Sequence, residues 1–269
     1  MVQTQTEIQT LLENAGIHPS RRFGQNFLID GNLMNILVAS ADLAALDVVL
    51  EVGAGTGNLT ELLAARAGCV ISVEVDAGLA EIARDRLAGA ANVEILHTDV
   101  LKSKHHIDSG LMARVSERLA EGAGRRFKLV ANLPYSVASP LLAELLLHRP
   151  VPVLMVFTVQ MEVAERIAAS PGSRTYGPLA VILQALGAVE IIRRLPASVF
   201  WPRPRVSSAM VRIVPSDEKR GRIRDIPLFR TVIEGLFGYR RKRCAKSLSF
   251  SAATRDLCDD WPALLTKCG

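Results

Sequence analysis

Aromatic residues are scarce in this 269-residue chain, at 5%. The core must therefore be filled by aliphatic side chains, which dominate the 49% of hydrophobic residues. Four cysteines, Cys69, Cys244, Cys258 and Cys268, stand far apart with no CxxC pair, which excludes a disulfide framework and a zinc ribbon. The five histidines do not join them at zinc-ligand spacing, so no metal is expected. The uncharged stretch at residues 176–189 is too short, and too polar at Gln184, to cross a bilayer. The N-terminal MVQTQTEIQTLLENAG lacks the basic start and apolar block of a secretory leader, and a cytoplasmic protein is expected. There are no repeats and no low-complexity segments. At 29.2 kDa, with mean hydropathy +0.23, the chain can bury one large core and carry a small second domain.

Charge is unevenly spread. Residues 193–246 hold fifteen Lys/Arg against four acids, a local balance of +11 in a chain whose net charge is +5. The remainder is acidic. Blocks such as RRLPASVFWPRPR, EKRGRIR and YRRKR exceed what a solvated surface requires and point to a polyanion as partner.

Short β-branched apolar runs at residues 46–52, 69–75, 93–97, 127–131 and 153–159 read as buried parallel strands. Helical spacing fills residues 59–66, 77–88 and 140–148 between them, so the pattern is a doubly wound α/β sheet. The long connection at residues 103–126 contains LMARVSERLAEG, which reads as an extra helix. Residues 183–192 and 207–214, separated by the proline-rich FWPRPRV, are expected as an antiparallel strand pair at the sheet edge. Beyond Pro215 the chain turns polar, then helical at residues 228–237 and 241–248. This places a domain boundary there, with residues 1–214 as the sheet domain and residues 215–269 as a small basic helical domain.

The chemistry lies at the strand ends. EVGAGTGNLT follows the first strand, and Gly53, Gly55 and Gly57 let the backbone turn tightly against a ligand where such sheets bind cofactors. The spacing is GxGxG, whereas a dinucleotide enzyme more often shows GxGxxG. Glu74 closes the second strand, placed to accept hydrogen bonds from ribose hydroxyls, and fits any adenosine cofactor. Asp99, after the third strand, can accept from an adenine amino group or serve as a turn residue.

The fourth strand ends in NLPY, Asn132 to Tyr135. An exocyclic base nitrogen is a poor nucleophile because its lone pair is delocalised into the ring. An amide oxygen on Asn132 and a backbone carbonyl held open by Pro134, both accepting from its N–H groups, favour a pyramidal nitrogen. Tyr135 offers a face for a flipped-out base. The Pro-Cys nucleophile that attack at a pyrimidine carbon needs is absent from the turn.

With GQNFL at residues 24–28, SVEVD, HTDVL, NLPYSVASPLL, the segment QMEVAERIAASPGSRTYGPLAVILQ and FWPRPRVSSAMVRI, the chain resembles the ribosomal RNA adenine N6-dimethyltransferases over residues 22–248. It resembles most closely the bacterial branch that acts on small-subunit RNA. The resemblance implies a class I methyltransferase fold and S-adenosylmethionine as cofactor, with S-adenosylhomocysteine as product. It implies cofactor contacts at Gln25, Asn26, Leu28, Gly53, Gly55, Glu74, Asp99 and Asn132, and catalytic roles for Asn132, Pro134 and Tyr135. Phe200 resembles an aromatic that closes the target base from its other side. The family adds two methyl groups to each of two adjacent adenosines in the 3′-terminal hairpin of 16S rRNA, in the assembling 30S subunit. No metal or membrane is implied, and a monomer is expected. Arg203, Arg205, Arg240, Arg241, Lys242 and Arg243 are expected on RNA phosphates, with Arg21 and Arg22 at the active-site mouth. The connection at residues 103–126 is longer than the family's, NLPYSVAS replaces a more typical NLPYNIST, and the tail after Leu248 lacks the usual last-helix pattern.

Overall fold

The computed structural model describes residues 2–20, 24–103, 106–239 and 241–268. In chain order its strands are β1 (Phe27–Leu28), β2 (Asp47–Val52), β3 (Cys69–Glu74), β4 (Val93–His97), β5 (Leu101–Ser103), β6 (His106–Ile107), β7 (Arg126–Asn132), β8 (Leu154–Gln160), β9 (Gly187–Leu195), β10 (Phe200–Trp201) and β11 (Ser208–Pro215). Its helices are α1 (Gln5–Asn14), α2 (Gly31–Ser40), α3 (Asn58–Ala64), α4 (Ala77–Arg86), α5 (Ser109–Ala120), α6 (Ala138–Leu147), α7 (Met161–Ile167), α8 (Pro178–Leu186), α9 (Asp217–Gly221), α10 (Ile226–Gly238), α11 (Cys244–Phe250) and α12 (Trp261–Cys268).

Seven strands form one sheet in the order β4-β3-β2-β7-β8-β11-β9. The first five are parallel, and β11 lies antiparallel between β8 and the edge strand β9. The doubly wound α/β expectation holds. Every residue of β2 and β3 is buried, for a simple reason. Successive side chains of a strand point to opposite faces, and here both faces are covered. Val48, Leu50 and Val52 pack with Leu141 and Leu145 of α6, while Val49 packs with Leu37 of α2 and Leu63 of α3. A strand so placed is mostly apolar, and its polar exceptions, Asp47 and Glu51 in β2 and Ser72 and Glu74 in β3, are buried as well.

Helix starts follow from capping chemistry. Asp30, Asp76, Asp108 and Asp225 each accept a first-turn N–H, of α2, α4, α5 and α10 respectively. Thr4 and Glu7 form a reciprocal capping box on α1. The extra helix expected between the third and fourth parallel strands is α5, started by Asp108.

One strand expectation needs correcting. Residues 183–186 belong to α8, and β9 begins only at Gly187. The helix wins because Leu179, Ile182, Leu183 and Leu186 fall at i, i+3, i+4 and i+7 and are all buried, behind a proline suited to the first helical turn.

After β11 the chain turns back onto the sheet. Ile233 of α10 enters the same apolar cluster as α6, with Phe229, Leu236 and Phe237 packed against it. Arg230 Nη1 pairs with the buried Glu144 of α6 at 2.6 Å, and Lys219 Nζ donates to the carbonyls of Gln184 and Gly187 at 2.9 and 2.7 Å. Among the described residues no helix is long and apolar enough to cross a membrane.

Candidate active site

The chain leaves β2 toward β3 on one side, whereas β7 flanks β2 on the other. At such a reversal a crevice opens beyond the carboxyl ends of the strands. A cleft lies there, with about 840 Å³ of empty space including open solvent. Two glycines shape it. Gly53 has φ +89°, and a Cβ there would stand 3.2 Å from Pro134 Cγ. Gly55 has φ +54°, and a Cβ would stand 3.0 Å from the Phe27 ring. Each needs a left-handed backbone with no side chain, so the glycine loop is pressed between GQNFL and the NLPY turn.

Glu74, 5% exposed, ends β3 inside the cleft. Its Oε2 accepts the Gly55 N–H at 2.9 Å, and its Oε1 accepts those of Val75 and Asp76 at 2.9 and 3.0 Å. A carboxylate has about four acceptor positions, so about one is left for a ligand hydroxyl. Burial pushes its carboxyl above the usual range, opposed by these N–H groups. Asp99 lines the cleft and also ends its own turn, its Oδ1 accepting the Leu101 N–H at 2.9 Å. Gln25 and Asn26 line the opposite wall. Gln25 is tied to the Ser20 N–H at 2.6 Å and to Asp76 at 3.3 Å.

Asn132 is the last residue of β7, and its amide is fixed at both ends. Nδ2 donates to the Asn26 carbonyl at 2.8 Å, and Oδ1 accepts from the Thr158 hydroxyl. These partners define which end of the amide is oxygen. Thr158, 1% exposed on the neighbouring β8, was not legible as a site residue because nothing in its local sequence marks it. Tyr135 lines the cleft with its hydroxyl hydrogen-bonded to Ser208 Oγ at 2.9 Å. Burial raises its phenol above the ordinary range. The N-terminal segment also locks onto the glycine loop. Thr56 Oγ1 donates to Gln3 Oε1 at 2.6 Å, and the Gln3 N–H donates to Asn58 Oδ1 at 2.9 Å.

The structure thus gathers Gln25, Asn26, Gly53, Gly55, Glu74, Asp99, Asn132, Pro134 and Tyr135 around one cleft. Leu28 does not line that cleft but, with Gly53, Gly55 and Asn132, lines a smaller one beside it, and Phe200 lines neither. Leu28 pairs with Phe200 across β1 and β10, and the two are 5% and 2% exposed within the apolar cluster under the sheet. The Phe200 ring is packed in the core, and the neighbouring Trp201 stacks on Phe27, centroids 6.1 Å apart. Arg203, Arg205, Arg241, Lys242 and Arg243 are exposed. Arg21, Arg22 and Arg240 lie outside the described residues. Among the described residues no group of three or more His, Cys, Asp or Glu converges to hold a metal ion.

A family model, ribosomal RNA adenine dimethylase, matches residues 18–259. A ribosomal RNA small subunit methyltransferase A from Pelotomaculum thermopropionicum is 41% identical over 252 residues, covering 93% of this chain and 84% of that protein. A dimethyladenosine transferase from Plasmodium falciparum superposes with TM-score 0.68 at 25% identity, covering 86% of this chain and 77% of the other. The 23S rRNA methyltransferase ErmE gives TM-score 0.63 at 25% identity, covering 85% and 86%. With the NLPY turn seated on the glycine loop, these matches identify the chain as a member of the ribosomal RNA adenine dimethylase family.

Proposed function

We propose that the protein uses S-adenosylmethionine to dimethylate N6 of two adjacent adenosines in the 3′-terminal hairpin of 16S rRNA, in the cytoplasm, on assembling 30S subunits. The observation that carries this reading is the contact of Gly53 with the NLPY turn, which sets Asn132 and Tyr135 beside the nucleoside cleft. The cleft suits an adenosine. It offers bare glycine backbone, a Glu74 acceptor for a hydroxyl, an Asp99 acceptor for an amino group, and flat apolar walls from Val75, Leu79 and Val100. When bound, S-adenosylmethionine supplies an electrophilic methyl group.

The protein's own work is positioning. Asn132 Oδ1, oriented by Thr158, has a second acceptor position directed to a target N–H, and a backbone carbonyl of the turn takes the other. Both contacts strengthen as the nitrogen becomes pyramidal and its N–H groups more acidic, so they favour the transition state over the ground state. Tyr135 gives the extruded base a stacking face, and Ser208 keeps that ring in place. Residues 1–214 form the catalytic unit and residues 215–269 a docking unit. Arg203, Arg205, Arg241, Lys242 and Arg243 hold phosphates, and the protein acts as a monomer.

The test is incubation with S-adenosylmethionine and unmethylated small subunits, then with large-subunit RNA, reading nucleosides by mass spectrometry. N6,N6-dimethyladenosine from the small subunit alone is expected. Product from large-subunit RNA alone would overturn the substrate, and absence of product from either would overturn the enzymatic reading.

A further inference from the structure

Tyr239, just after α10, and Phe250, the last residue of α11, are two exposed aromatic rings in a chain with few aromatics to spare. Tyr239 is 45% and Phe250 48% exposed. Their rings meet edge to face, with centroids 5.8 Å apart and planes at 72°. The pair is held in place: the Tyr239 N–H donates to Ser247 Oγ at 3.2 Å, and its hydroxyl donates to the Phe250 carbonyl at 3.3 Å. Ser247 is itself anchored, donating to the Gly235 carbonyl at 2.7 Å. Lys246 Nζ lies 5.5 Å from the Phe250 ring centre, within cation–π range.

The surroundings are of one sign. Arg241, Lys242, Arg243 and Lys246 are exposed, and no Asp or Glu occurs between Glu234 and Asp256. Among the described residues none of these four forms an ion pair. Exposed rings gain nothing for folding by remaining in water. A rigid ring pair ringed by uncompensated cations is instead the combination that binds unpaired nucleotides, bases on the rings and phosphates on the charges.

We propose that Tyr239 and Phe250 form a stacking platform for an unpaired base of the ribosomal RNA, while Arg241, Lys242, Arg243 and Lys246 take the adjacent phosphates. This rests on the reading of the protein as an RNA methyltransferase and gives its C-terminal helices a role beyond charge. A duplex cannot use the platform, because its bases are already stacked. The occupant is therefore a loop, bulge or end, distinct from the adenosine in the catalytic cleft.

The test uses the full-length protein and two RNAs of equal length, a hairpin with an unpaired purine loop and a fully paired duplex, titrated by anisotropy over a salt series. Stacking contributes about 1–3 kcal/mol per base, or roughly 5- to 150-fold in affinity. Phe250→Leu, which keeps an apolar side chain and removes the ring, is expected to weaken hairpin binding at least about fivefold. It should change duplex binding less than about twofold and leave the salt slope intact, since no charge is lost. Phe250→Trp is expected to restore hairpin binding. Lys242→Ala should weaken both RNAs and flatten the slope by about one unit. Equal loss on both RNAs with Phe250→Leu, accompanied by a lower melting temperature, would show a structural brace and overturn the platform. So would an unchanged hairpin affinity, or Phe250-dependent binding to anionic phospholipid vesicles with none to hairpin RNA. The same wild-type preparation is assayed for methylation of small subunits. Product without hairpin-selective loss removes the platform alone, whereas no product removes the enzymatic reading.

Discussion

Asp47 and Glu51 lie on the same strand, four residues apart, on the same face, and both are 0% exposed. Their surroundings are opposite. At the amino end of β2, Asp47 meets Lys128 Nζ at 2.8 Å and Arg126 Nε at 2.8 Å, and it accepts the Ala44 N–H at 2.8 Å. Lys128 also donates to the carbonyls of Ala41 and Asp42, so all three of its ammonium protons are used. At the carboxyl end, Glu51 has no cation among the described residues. Its Oε2 accepts the hydroxyls of Thr60 and Ser72 at 2.6 Å each, while its Oε1 is buried without a hydrogen-bond partner among the described residues. Burial pushes its carboxyl up to about 8, opposed by those hydroxyls and reinforced by Glu74. One end of the sheet closes its polar groups against each other, and the other leaves them short of partners beside glycines. The first arrangement leaves nothing over for a ligand, and the second lies beside the cleft to which binding and catalysis are assigned in the proposed function.

The strongest way to break this comparison is at the carboxyl end. Asn132→Ala removes the acceptor proposed for the target nitrogen, and turnover on small subunits should fall at least about 10²–10³-fold, the usual cost of one preorganised transition-state hydrogen bond. Calorimetry should find S-adenosylmethionine affinity changed far less. Near-normal turnover would discard the proposed role. At the amino end the expected loss is of folding instead. Lys128→Met leaves Asp47 buried with one cation fewer, which costs about 3–5 kcal/mol. A denaturant titration should show it, with kcat of the folded enzyme nearly intact. A large kcat loss without destabilisation would reverse the assignment of the two ends.

Much of this was legible in the sequence because the relevant signals are local. Apolar β-branched runs revealed the parallel strands, and glycines, Glu74 and NLPY at successive strand ends marked the cleft. What escaped depends on contacts across the sheet. The start of β9 was misplaced because an apolar segment such as residues 183–186 fits a buried helix and a buried strand equally well. Thr158 was missed because its importance comes from register: it lies opposite Asn132 across β7 and β8. The burial of Phe200, 2% exposed and opposite Leu28 in the β1–β10 pair, is likewise invisible in its motif, because a motif does not report ring direction.

Thr158 sharpens the comparison with a smaller effect. Thr158→Val keeps the shape and deletes the hydroxyl that orients the Asn132 amide. Loss of one such hydrogen bond is worth about 0.5–1.5 kcal/mol, so kcat should fall roughly two- to tenfold while KM for the cofactor holds. Thr158→Ser should recover most of the loss. Equal changes in kcat and KM, or no recovery with serine, would reduce Thr158 to a packing residue.

The remaining effect is on the pH dependence of stability, contributed by Glu51. Burial pushes its carboxyl up to about 8 in the fold, against about 4.5 for an ordinary glutamate, so between those limits the folded state holds a proton that the unfolded chain releases. Where the folded state binds more protons, stability falls as pH rises. The Glu51 contribution should therefore decline from about pH 5 to about pH 8 and be flat above. Glu74 is raised in the same direction, so the wild-type slope belongs to both groups, and Glu51→Gln isolates one. The carboxamide oxygen can still accept from Thr60 and Ser72, and it cannot ionise. Denaturant midpoints at pH 5.5 and 8.5 should show the variant losing less stability with rising pH than the wild type. Parallel slopes would mean that Glu51 is already ionised in the fold. The carboxyl end would then hold a buried charge without a cation, and the contrast with Asp47 would be one of partners alone, not of protonation.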